Sequence, residues 1–65
     1  MNEREKMILQ LLVEECTLSG FEVTEHKGHQ FARITWPNGE AVEMTDIDLT
    51  RFAGQIDRGL DRRGL

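Results

Sequence analysis

The sequence predicts an α+β domain in the order α-β-β-β-α, with a three-stranded antiparallel meander packed on two helices. Three observations predict it. An apolar helical pattern with a capping signal opens the 65-residue chain, and three short alternating segments with glycine-containing turns follow. A second amphipathic pattern closes it. A chain of this length is one thin-cored domain, with residues 1–60 expected as the domain and 61–65 as a flexible C-terminal tail.

The first helix starts at Asn2, a good N-cap, with Glu5 three residues on in the capping-box position. It stops at Ser19-Gly20, where glycine can take the left-handed C′ conformation and Phe21 can fold back over Cys16. Its apolar residues, Met7 to Leu18, cover well over half the circumference, more than one face on a small sheet requires. Leu9 and Val13 lie at the far side of that arc, which marks this edge as the place where a second copy of the chain or a protein partner meets it.

The three strands are read as Phe21–His26, Gln30–Trp36 and Glu40–Thr45. A type II′ turn at Gly28-His29 would set Val23 opposite Ile34. For the second hairpin, a three-residue Pro37-Asn38-Gly39 loop sets Ile34 opposite Val42 and Arg33 opposite Glu43, giving one apolar face and one cross-strand ion pair. Phe31 is then the one large apolar side chain on the outer face. The second helix is expected to start at Thr45 as N-cap, with Asp48 at N3 and a Met44–Leu49 staple. Leu49, Phe52, Ala53, Ile56 and Leu60 form the stripe expected to face the sheet.

Charge is placed unevenly. Residues 1–50 carry ten acidic and four basic side chains, whereas 51–65 carry four arginines and two aspartates. An acidic body repels polyphosphate, so nucleic acid is not the expected partner. Asp46 and Asp48 add repulsion at a helix N-terminus that would otherwise attract phosphate. Cys16 is the only cysteine, which rules out a disulfide within one chain and fits a reducing, cytoplasmic setting. No apolar run reaches the length of a membrane span. His26, His29 and Cys16 fall short of a four-ligand zinc set, so neither metal nor other cofactor is expected.

The element order, with Lys27-Gly28-His29-Gln30-Phe31 at the first hairpin, Pro37-Asn38-Gly39 at the second and Gly59-Leu60 near the end, resembles the HicA-type mRNA interferase toxins and the double-stranded-RNA-binding domains that share their fold. The resemblance implies a catalytic histidine at the first hairpin. His29 is the position that matches, as general acid/base on a ribose 2′-hydroxyl. The residues themselves support a different leading expectation: a small acidic, non-enzymatic interaction domain. It would be a regulator or inhibitor of the kind carried by phages and mobile elements, binding a protein partner such as a component of nucleic-acid machinery. Its candidate contact residues are Leu9, Val13, Phe31, Arg33, Glu43, Asp46 and Asp48. A homodimeric structural subunit joined through the first helix is the third expectation.

Overall fold

The computed structural model describes all 65 residues. The chain runs α1 (Glu3–Leu18), β1 (Glu22–His26), β2 (His29–Asn38), β3 (Ala41–Asp48) and α2 (Leu49–Arg62), with an antiparallel sheet in the order β1-β2-β3. This is the α-β-β-β-α layout that the sequence predicts.

Both ends of α1 follow from local chemistry. The Asn2 side chain accepts the Glu5 N–H at 2.7 Å, which satisfies one of the donors that a helix start leaves free. At the other end Gly20 has φ +87°. Phe21 N–H donates to Cys16 O and Gly20 N–H to Thr17 O, the paired bonds of a Schellman motif. The Phe21 ring itself stays exposed. α2 ends in the same way: Leu65 N–H donates to Leu60 O and Gly64 N–H to Asp61 O. Residues 61–65, expected as a tail, are therefore the last helical residues and their cap.

The strand registers differ from expectation. β1 pairs with β2 as Val23↔Ala32 and His26↔His29, so the turn is Lys27-Gly28. Both turn residues have positive φ, 52° and 81°, the mark of a type I′ turn, whose twist matches the strands it joins. The slip is two residues, so every side chain keeps its expected face. The second hairpin has slipped by an odd number. Ile34 pairs with Thr45, Trp36 with Glu43 and Asn38 with Ala41, leaving Gly39-Glu40 as a two-residue turn. The three-residue loop and the Arg33–Glu43 pairing are thus replaced. Val42 and Met44 lie on the face opposite Ala32 and Ile34, and Arg33 stands across from Asp46. Pro37 sits within β2 instead of in the turn. β1 reaches only Arg33, so β2 is an edge strand there, and an edge tolerates a residue without an N–H.

The start of α2 moves with that register. β3 continues to Asp48, and Asp48, not Thr45, is the N-cap, accepting the Arg51 N–H at 3.0 Å. Aspartate caps at least as well as threonine, and the later start adds three residues of strand pairing. Met44 is then too far upstream to be a staple. Gln30 N–H donates to Thr50 Oγ1, tying the first turn of α2 to the start of β2.

The core sits at the base of the sheet. Ala32, Leu49 and Ala53 are its buried apolar residues, with half-buried Val23, Ile34 and Ile47 around them. α1 packs chiefly on α2. Gly54 is buried at this contact, where an added Cβ would meet the end of the Glu5 side chain at 3.2 Å. The remainder of β2 and β3, about residues 34–45, projects past the end of β1 as a two-stranded arm.

Candidate functional site

Three groups of side chains stand out, and the outer face of the sheet carries the first. The register lines up Phe31 with Asp48 and Arg33 with Asp46 on one face. Arg33 Nε donates to Asp46 Oδ1 at 3.0 Å, and its Nη2 donates to Oδ2 at 3.3 Å. This two-point pairing holds the Asp46 carboxyl below its ordinary range. His29 stacks on Phe31 with centroids 6.4 Å apart. Its Nδ1 lies 2.8 Å from Asp48 Oδ2. Burial pushes the Asp48 carboxyl up, but the Arg51 N–H, His29 and the Thr50 N–H together bring it below the usual value. The imidazole is thereby oriented by a carboxylate at the edge of a shallow cleft that Arg51 and Arg58 also line. No helix is long and apolar enough to cross a membrane, and no three His, Cys, Asp or Glu side chains are arranged to share an ion.

Of the residues expected at an interaction surface, the sheet brings together Phe31, Arg33, Asp46 and Asp48. It separates Glu43, which faces the other side opposite Trp36, where its carboxylate accepts from Asn38 Nδ2 at 3.4 Å. Leu9 and Val13 lie on α1 and are half-buried. The bare edge of α1 is a different one: Met7, Leu11 and Leu18 are 60%, 54% and 81% exposed. At 100° per residue these three fall within about 40° of one another, so they form a narrow stripe along the helix. Glu14 and Glu15 flank it. The surplus of apolar residues on α1 was legible; which edge holds it depends on where α2 packs.

The second group was missed altogether. Asp57 on α2 is only 4% exposed. Asn2 Nδ2 donates to its Oδ2 at 3.0 Å, and Arg4 Nε donates to its Oδ1 at 2.5 Å. The same guanidinium reaches Asp57 O, Asp61 and Leu65 O. The Asn2 amide and the Arg4 guanidinium hold the Asp57 carboxyl below its ordinary range. One signal could have found it: Asp57 stands four residues after Ala53 and three before Leu60, a stripe position where a carboxylate needs a cation brought to it.

The chain matches no family model, no curated protein and no solved structure. Its own surfaces therefore carry the functional reading.

The third group is apolar and exposed. Phe52 and Ile56, expected against the sheet, point away from the core because the buried side of α2 runs through Leu49, Ala53, Gly54 and Asp57. With Gln55, Gly59, Leu60, Arg62 and Arg63 they line an open groove. Trp36, Val42 and Met44 are exposed on the arm.

Proposed function

We propose that the chain is a small non-enzymatic protein-binding domain, a regulator or inhibitor whose partner offers a basic surface. The observation that carries this reading is the Met7–Leu11–Leu18 stripe on α1, exposed and set between glutamates. A stripe of this kind suits helix-in-groove recognition, and its acidic flanks favour a partner groove of positive charge. A groove built for nucleic acid has that character, which suits an inhibitor that competes with phosphate for the same site. The test is affinity capture from native lysate with the wild-type chain and with Met7→Lys plus Leu11→Lys. A captured protein should be lost with the variant and released as salt rises. Capture that ignores both changes refutes the reading. These positions are exposed, so the variant should keep the wild-type circular dichroism spectrum.

The His29–Asp48 contact favours a second reading, a HicA-like ribonuclease. Asp48 fixes the ring through Nδ1 and leaves Nε2 available as general base, with Arg51 and Arg58 beside it to meet phosphate. Here RNA cleavage by the purified chain should vanish in His29→Ala. Cleavage that persists in that variant, or is absent from the wild type, removes this alternative.

A further inference from the structure

Two surfaces of the chain complement each other, yet lie apart within one copy. One face of the arm carries Trp36 and the acidic Glu43, with Glu40 at its turn, whereas Val42 and Met44 lie on its other face. The α2 groove is lined by Phe52 and Ile56 together with Arg62 and Arg63. Neither arginine makes an ion pair; Arg63 Nη1 donates to Gly59 O of its own helix at 3.3 Å. Glu40 and Glu43 are likewise without a cation. We propose that two copies associate about a two-fold axis, with the arm of each seated on the Phe52–Ile56 face of α2 of the other.

Three quantities support a second copy as the occupant. The first is area. The chain exposes 4998 Å², whereas a compact protein of 7.5 kDa exposes ~4,250 Å² by the usual mass scaling. The excess is about 750 Å² per chain, close to the ~800 Å² that each partner buries in a standard interface. The second is size. The radius of gyration is 13.8 Å, against ~10.7 Å for a compact chain of this length and about 14 Å for one twice as long. The single copy is elongated, 47 × 22 × 22 Å, which is the shape that leaves the excess surface. The third is length: five arm residues cover ~16 Å at strand rise, and the α2 face from residue 52 to 63 covers ~16 Å at helix rise.

Topology fits the same arrangement. β3 runs from the arm tip to the base of the sheet and passes into α2 without a loop, so the arm cannot fold back on its own α2. A two-fold axis would form both arm–helix contacts at once, as an isologous interface requires. Acid on the arm meets arginine on the helix in both places, and the exposed aromatics on each side are buried.

Sedimentation equilibrium of the full chain tests this, with circular dichroism as the check on folding. The wild type should weigh twice the 7.5 kDa of one chain. Arg62→Glu plus Arg63→Glu should weaken association by about tenfold or more, as should Glu40→Lys plus Glu43→Lys, and the four changes together should restore it. If the helix variant fails to fold, the arm variant alone decides, because Glu40 lies in the turn and Glu43 is exposed on β3. A wild type that is monomeric throughout, or a dimer indifferent to the arm variant, overturns the proposal. The α1 stripe is a separate surface: Met7→Lys plus Leu11→Lys should leave the dimer intact while abolishing partner capture, so either proposal can fail without the other.

Discussion

A carboxylate taken from water stays ionised only if donors replace the solvent. Asp57 has them from the far end of the chain, in the Asn2 amide and the Arg4 guanidinium. Those bonds favour the charged form, so its pKa falls below the ordinary value of 3.8. As pH drops, the unfolded chain takes up its proton first, and stability must fall with it. The contribution of Asp57 is fully present above the ordinary carboxylate range and is lost as pH passes down through the depressed native value. Asp46 and Asp48 shift in the same direction and add to this limb. Urea unfolding followed across the acid range should show Asp57→Asn less stable than wild type near neutrality, with the difference closing at the acid end. Parallel curves would refute the assignment. In the same assay Arg4→Ala should lower stability more than Arg33→Ala. The first leaves a buried carboxylate without its cation, whereas Asp46 is exposed and regains water.

Among the elements, β3 decides the shape of the surface. Its alternation places Val42 and Met44 on one face, but Ile47 lies on the other, so the strand has an apolar option on each side. Pairing Val42 with Ile34 is the better choice if helices cover the whole hairpin. They cover only its base, where Ile47 joins Ala32, and the arm beyond is free to show Met44 to solvent. A cross-link reads the register directly. In a Cys16→Ala background, Thr35→Cys with Met44→Cys stand opposite each other, at a strand-pair spacing that a disulfide spans. Oxidation should join them and stabilise the chain by about 2–3 kcal/mol through loop closure. Ile34→Cys with Val42→Cys, the pair joined in the three-residue register, should stay reduced. The reverse outcome would restore the expected loop. What was legible in the sequence was local. The Asn2 cap, the Gly20 Schellman motif and the faces of β1 and β2 each depend on neighbours within a few residues. The α2 stripe, the edge of α1 and the Arg4–Asp57 bond depend on how α1 crosses α2, which no spacing records. His29 was found from its hairpin, but its partner Asp48 could be placed only once β3 was known to run that far.

At the scale of the whole molecule, the core and the surface are out of proportion. Ala32, Leu49 and Ala53 are the buried apolar residues, while Trp36, Val42, Met44, Phe52 and Ile56 remain exposed. Small domains that cannot bury enough of their own surface gain stability from a disulfide, a metal or a second subunit. The chain has one cysteine and no ion-sharing cluster, and the proposed pairing of two copies would supply that stability. Folding coupled to that association makes stability a function of concentration, because dilution favours separated chains by mass action. Over about a hundredfold range of protein concentration the apparent unfolding free energy of the dimer should rise by about 2.7 kcal/mol. The thermal midpoint, followed by circular dichroism, should climb by several degrees across that range. Glu40→Lys plus Glu43→Lys should flatten the dependence while leaving the helical signal in place, since both positions are exposed on the arm. A midpoint independent of concentration in the wild type would mean that the thin core holds the fold alone. The exposed aromatics of the arm and of α2 would then add nothing to its stability.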